Sequence, residues 1–281
     1  MVAEVRLHDG HDIAVEVHGD GPTVLLPVDP RPVEGPQADE MRKWGADPSL
    51  GYSLIEGLRD DFRVVAFDYQ GHVLETPKPE TLTPANVVRD IIAVADAVGA
   101  DRFAYYGYSW LALIGLQLAT RTDRLSALVM GGFPPLDGPY TEMLQVTTAS
   151  YKMAVEAETP SGQVKEVGDD EWSSSLSRAQ TRQFVTLYEA LRDFDDRAVQ
   201  GDIGCPRLCF VGSADEIVYD GKWGGVRVDL AGPVLKGRTE LEALGWAVRV
   251  HDGLDHMGAM RPEHVLPMLR PWLISQLVPR T

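Results

Sequence analysis

Six short apolar runs, separated by helix-length stretches, constrain this 281-residue chain more than any other feature. They cover residues 23–26, 63–68, 103–106, 125–130, 207–211 and 248–251. Val, Leu, Phe and Ala crowd them without a polar alternation, the pattern of strands buried on both faces. Helix-like stretches lie between. Residues 83–99 open with Thr83-Pro84 and stop at Gly99, and 110–120 and 262–277 also read as helices. Strand and helix in alternation predict an α/β fold around a mostly parallel sheet. Residues 4–7 and 13–17 alternate polar and apolar about Asp9-Gly10, which predicts a β-hairpin. A Pro-rich loop is expected at 29–36. Residues 134–201 carry no buried-strand pattern, only helix-like segments at 140–157 and 172–194. This block is expected to be a helical cap inserted into a core formed by residues 1–133 and 202–281.

Composition narrows the function. Acidic residues number 42 against 26 basic ones, leaving a formal charge of −16. Phosphate recognition needs clustered Lys and Arg, and none cluster here, so nucleic acid and anionic membranes are excluded as partners. The field favours neutral or cationic small molecules. No window of apolar residues is long enough to span a bilayer. Residues 1–10 carry Glu4, Arg6, His8 and Asp9 instead of an apolar leader, so a cytoplasmic location is expected. Cys205 and Cys209 lie too far apart along a strand for a disulfide and too few for zinc, and are expected as buried thiols. No glycine-rich phosphate cradle or ligand cluster appears. No metal and no organic cofactor are therefore expected.

The chemistry concentrates in Tyr105-Tyr106-Gly107-Tyr108-Ser109-Trp110, where an apolar strand runs through Gly-x-Ser straight into a helix. A serine on so tight a turn exposes its hydroxyl above the sheet, and a small residue two positions earlier lets the backbone turn. The residue after it, Trp110, offers its N–H at a helix N-terminus, where developing negative charge is stabilised. The plain alternative is a serine that caps the helix. A nucleophilic serine needs a base. His256, in Gly253-Leu254-Asp255-His256-Met257-Gly258, sits in the loop between the last strand and the last helix, at the end of the sheet where such folds place their sites. His8, His11 and His18 belong to the N-terminal hairpin and are expected at the surface. An acid must fix the imidazole. Asp215, just past the fifth apolar run, is the first choice; adjacent Glu216, and Asp137 past the fourth run, are alternatives.

On these motifs the chain resembles the α/β-hydrolases over nearly its whole length. Besides the Gly-x-Ser elbow, Phe67-Asp68-Tyr69-Gln70-Gly71-His72 is similar to the Asp-x-x-Gly-His segment of that family, whose histidine is usually structural. The resemblance implies an eight-stranded, mostly parallel sheet, a cap between the sixth and seventh strands, and Ser109, His256 and Asp215 as nucleophile, base and acid. A serine at 109 disfavours the aspartate-nucleophile branches, the epoxide and haloalkane hydrolases. Two positions depart from the pattern. Leu111 stands where a second small residue is usual. Pro27-Val28-Asp29-Pro30 replaces the usual His-Gly-x-Pro, so Asp29 would give the second oxyanion N–H beside Trp110. The segments Val33-Glu34-Gly35-Pro36, Gly107-Tyr108-Ser109-Trp110-Leu111 and Gly131-Gly132-Phe133-Pro134-Pro135 are also similar to serine-dependent macrolide esterases. Tyr140, Met143, Tyr151, Met153, Trp172, Phe184 and Tyr188 would then line a broad apolar pocket in the cap. The implied activity is hydrolysis of a small-molecule carboxylic ester or lactone. A non-hydrolytic ligand-binding homologue, and perhydrolase, lyase or acyltransferase chemistry, use the same scaffold.

Overall fold

The computed structural model describes residues 2–43, 45–158 and 176–278. The N-terminal hairpin pairs β1 (Val2–Arg6) with β2 (Asp12–His18). The apolar runs become β3 (Thr23–Leu26), β4 (Arg63–Ala66), β5 (Phe103–Tyr108), β6 (Leu125–Gly131), β7 (Arg207–Gly212) and β10 (Trp246–His251). These eight strands form one sheet in the order β1-β2-β4-β3-β5-β6-β7-β10. The β1–β2 and β2–β4 pairings are antiparallel and all others are parallel.

Both faces of the parallel part are covered, which is why its runs show no polar alternation. One face packs against α4 (Pro84–Ala97), α5 (Trp110–Ala119) and α8 (Ala231–Ala243). The other face packs against α2 (Leu50–Leu58) and α10 (Pro262–Leu277) through Leu54, Leu58, Val265, Leu269 and Leu273. From Leu111 to its end α5 is buried on every side, so it reads as apolar all round. The start of α4 is fixed as its sequence suggests. The Thr83 hydroxyl accepts the Asn86 N–H at 3.3 Å, Pro84 opens the first turn, and Gly99 ends it at φ +66°.

Several elements were not expected. The 29–58 stretch holds α1 (Gly35–Lys43) and α2, the Asp-x-x-Gly-His segment forms α3 (Tyr69–Glu75), and β8 (Glu216–Val218) and β9 (Arg227–Asp229) make a separate hairpin before α8. Between β6 and β7 run α6 (Tyr140–Ala157) and α7 (Arg178–Glu189). Residues 172–175 of the expected 172–194 segment lie outside the described residues, and its last five residues are not helical. The surface assignment of His8 is corrected. Its side chain is 4% exposed because the buried Asp90 carboxylate holds its Nδ1 at 2.8 Å. Both cysteines are free thiols; Cys209 is buried in β7, whereas Cys205 precedes the strand and is half-buried. Among the described residues no helix is long and apolar enough to cross a membrane.

Candidate active site

Ser109 sits at the junction of β5 and α5 with φ +57° and ψ −130°. A non-glycine residue rarely adopts this conformation, which costs about 1–3 kcal/mol and persists only where the surroundings enforce it. Gly107 is part of that enforcement. A Cβ there would lie 2.3 Å from the Leu111 carbonyl oxygen. The first turn of α5 thus packs by its backbone on Gly107, and position 111 itself needs no small residue. The Leu111 side chain enters the core, and its carbonyl accepts the Tyr105 hydroxyl at 2.9 Å. The Ser109 hydroxyl does not cap α5, which removes the plain reading of this serine. Its N–H donates to the Gly131 carbonyl at 2.8 Å, seating the turn on the end of β6.

Past β7 and β10, two loops are stitched together. The Ser213 N–H donates to His251 O (2.9 Å), Ala214 N–H to Leu254 O (3.0 Å) and Gly253 N–H to Ser213 Oγ (2.7 Å). Gly212 allows this approach, since a Cβ there would fall 2.0 Å from the Leu254 oxygen. The stitching sets Asp215 against His256. Both carboxylate oxygens lie within 3.0 Å of His256 Nδ1 (2.9 and 3.0 Å), and Asp215 is fully buried. Its carbonyl accepts the Leu230 and Ala231 N–H groups at 3.1 and 3.0 Å, so the β8–β9 excursion closes back on it. A carboxylate at Nδ1 leaves Nε2 as the imidazole's free position.

The two alternative acids are engaged elsewhere. Glu216 is exposed and pairs with Arg227 (Oε2 to Nη2, 2.6 Å). Asp137 is exposed and meets the Arg197 guanidinium at 2.6 and 2.9 Å, which lowers its carboxyl below the ordinary value.

Tyr108, immediately before Ser109, brings the two halves together. Its ring lies 5.1 Å from the His256 imidazole and its hydroxyl donates to the His256 carbonyl at 2.7 Å. Ser109, Asp215 and His256 thus gather at the carboxyl ends of β5, β7 and β10. Among the described residues the N–H groups of Trp110 and Asp29 donate to no acceptor. The Asp29 carboxylate turns back on its own loop, accepting the Arg31 N–H at 3.0 Å and facing the Arg31 Nε at 3.7 Å.

Trp110 stands between core and inserted helices. Its indole N–H donates to Gln70, its ring meets Phe184 edge-on at 5.6 Å, and Tyr69 lies 6.2 Å away. Phe184 is held there by a polar rail along α7. Gln180 and Gln183 donate to the carbonyls of Leu74 (2.8 Å) and Val73 (2.9 Å). Gln183 also accepts the Lys78 N–H (3.0 Å), and Thr186 donates to Pro79 (2.5 Å). Their spacing of three was the only sequence signal for this rail. His72 packs beside Tyr69, and its Nε2 lies 3.2 Å from the buried Lys78 ammonium.

The expected pocket residues divide. Tyr188 is 2% exposed and fills the core, and Tyr140, half-buried, packs between Phe133 and Phe194 at 5.8 Å from each. Met143 is half-buried against the core. Tyr151 faces the guanidinium groups of Arg178 and Arg182, each 5.9 Å from its ring. Trp172 lies outside the described residues. Two cavities of about 320 and 530 Å³, beside Arg261 and Trp272, are not lined by Ser109.

Solved structures share this architecture from end to end. A hydrolase from Pseudomonas aeruginosa PA01 matches with a TM-score of 0.58 and 17% identity over 99% of this chain and 98% of its own. An esterase from Thermogutta terrifontis gives 0.58 and 16% over 99% and 100%. A metagenomic epoxide hydrolase of the α/β-hydrolase superfamily, from hot environments, gives 0.54 and 15% over 100% and 99%. The chain has the α/β-hydrolase fold. At these identities the likeness is one of α/β-hydrolase architecture and leaves the reaction to the site. In sequence, the chain is 34% identical over 84 residues to RutD of Klebsiella pneumoniae (strain 342), a candidate carbamate hydrolase, and over 107 residues to the RutD of Enterobacter cloacae. These matches span 32% and 40% of the relatives' own lengths. No protein-family model matches the sequence.

Proposed function

We propose that this protein is a serine hydrolase of carboxylic esters or lactones, with Ser109 as nucleophile, His256 as general base and Asp215 as the acid that orients it. The observation that carries the reading is a fully buried carboxylate on Nδ1 of an imidazole next to a strained serine elbow. In this reading His256 Nε2 takes the Ser109 proton as Oγ attacks the carbonyl carbon. The N–H groups of Trp110 and Asp29 receive the oxyanion. The imidazolium then protonates the leaving alcohol, and a water activated by the same base releases the acid from the acyl-enzyme. Asp215 keeps the proton on Nδ1 and stabilises the charged ring. The Asp29 carboxylate, engaged with Arg31, opposes the oxyanion less than a free one would.

Residues 134–201 act as the cap in this reading, and α7 brings Phe184 to the Trp110 side of the nucleophile. The narrower substrate proposal is a macrolide lactone. It rests on the resemblance of the segments at 33–36, 107–111 and 131–135, and on the acidic charge, which suits an amino-sugar cation. The test is mass spectrometry of simple esters, lactones, carbamates and macrolides incubated with the protein and with Ser109→Ala. Cleavage of an ester into its acid and alcohol, or a gain of one water on a lactone, absent with the variant, supports the reading. Equal turnover by both proteins overturns it.

A further inference from the structure

We infer that Tyr108 is a positioning residue for the base, holding His256 by its backbone while Asp215 holds it by its ring, and that Gly131-Gly132 is the seat that makes room for it. The inference rests on the reading of His256 as general base.

His256 opens a helix of one turn, α9 (His256–Ala259), carried on a loop whose residues Asp252, Gly253 and Asp255 are exposed. Such a turn gives its first carbonyl no secure partner. The N–H that would close on it, that of Met260, bonds the Gly258 carbonyl instead. The Tyr108 hydroxyl fills the vacancy at 2.7 Å. The same side chain lays its ring 5.1 Å from the imidazole at 50° and 5.9 Å from Phe210. Beyond the bonds that tie its loop to Ser213 and Ala214, two restraints act on the base residue itself. The Asp215 bond sets the rotation of the ring, and the Tyr108 bond sets where the backbone carrying it stands. A base held by the first alone rides on a partly exposed loop whose ties to Ser213 and Ala214 stop at Leu254. Misplacement of a reacting group by about 1 Å is enough to cost about 100-fold in rate.

The seat explains a motif that the triad leaves over. A Cβ on Gly131 would lie 2.6 Å from Tyr108 Cδ2 and 2.4 Å from Phe210 Cζ. One on Gly132 would lie 2.6 Å from Tyr108 Cζ, at a residue whose φ is +63°. Consecutive glycines at the end of β6 let the tyrosine lie flat across the strand end and reach the loop 148 positions downstream. Tyr108 also precedes Ser109 directly, so the residue that bears the nucleophile's turn anchors the base.

The test uses Tyr108→Phe and Gly132→Ala in the full chain, with two readouts. The first is kcat and KM on the ester turned over best by the parent. Tyr108→Phe keeps the ring and removes one hydrogen bond, so kcat falls about tenfold while KM stays within about twofold. Gly132→Ala displaces the ring and lowers kcat further. The second is the far-downfield proton signal of His256 Nδ1, identified by its loss in Asp215→Asn; it broadens or disappears in Tyr108→Phe although the melting temperature is kept. An unchanged kcat with an unbroadened signal overturns the inference, as does a change confined to KM, which would make Tyr108 a substrate contact. Should the parent hydrolyse nothing in the panel, the hydrolase reading fails, and the proton signal alone decides whether Tyr108 holds His256.

Discussion

Replacing Asp215 by Asn changes the least matter for the largest expected effect. The carboxylate sets both oxygens on Nδ1, at 2.9 and 3.0 Å, and no part of it reaches solvent. Asparagine has the same shape but only one oxygen. With its NH2 toward the imidazole, Nδ1 must accept, and the ring proton moves to Nε2, where the Ser109 proton has to go. With its oxygen toward the imidazole, the tautomer survives but the imidazolium faces a neutral amide. Both orientations weaken the base while Ser109, Trp110 and Asp29 stay in place. The expected loss in kcat is about 10,000-fold, or about 5.5 kcal/mol of transition-state stabilisation. Glu216→Gln is the internal control. That carboxylate is exposed and its partner is Arg227, an arrangement worth about 0–1 kcal/mol, so turnover should stay within about twofold. The assay is steady-state kinetics on one substrate, with a thermal melt of each variant. Retention of kcat within tenfold by Asp215→Asn, or an equal fall in Glu216→Gln, would show that Asp215 does not orient the base.

Gly107→Ala drives a methyl group into the Leu111 backbone, a contact no rotamer relieves; a loss of about 1–3 kcal/mol in stability is expected, with collapse of turnover. A stable, fully active variant would contradict the role given to that glycine. Gln183→Leu strands two buried backbone groups, the Lys78 N–H and the Val73 carbonyl, at about 1–3 kcal/mol each, and chemical denaturation should report the sum. A loss below about 0.5 kcal/mol would place α7's anchorage elsewhere. The fold should also lose stability in acid. Burial and then the Lys78 charge hold His72 below the ordinary histidine value of 6.5, so it contributes in full above that pH and its contribution is lost as pH falls through the lowered value. Burial alone would raise Asp9, but its bonds from Lys78 and the His11 N–H outweigh that and hold it well below the usual carboxylate range; its contribution disappears at lower pH still. Melting temperature should therefore fall on acidification, and His72→Gln should remove the first step. A flat profile in the parent would contradict this.

The parts of the fold that sequence made legible are those where one cause dominates. Runs such as Val24-Leu25-Leu26 admit only a strand covered on both sides, and Thr83-Pro84 to Gly99 carries its own start and stop. The elbow was legible because a glycine, a serine and a change of period coincide there. Elements held by tertiary packing were not. Helix α8 contains Gly232, Pro233 and Gly237, and α1 opens on Gly35-Pro36, so local propensity argued for loop. His8 looks like a hairpin residue until Asp90, 82 positions away, is brought against it. Asp215 and Glu216 are adjacent in the chain and equivalent to composition; only the turn into β8 sends one inward and the other to Arg227. Tyr188 goes to the core for a related reason, since an aromatic residue on a helix is as suited to a core as to a cleft. Tyr108 and the α7 rail join positions about 100 or more residues apart, and no spacing rule announces such contacts.

Covalent labelling with a fluorophosphonate, followed by tandem mass spectrometry of the digested protein, questions the serine at the elbow directly. One adduct per chain is expected, on the peptide bearing Ser109, formed far more slowly when His256 is replaced by Ala. An adduct on any other hydroxyl, or ester turnover by a protein that takes up no label, would contradict Ser109 as the nucleophile.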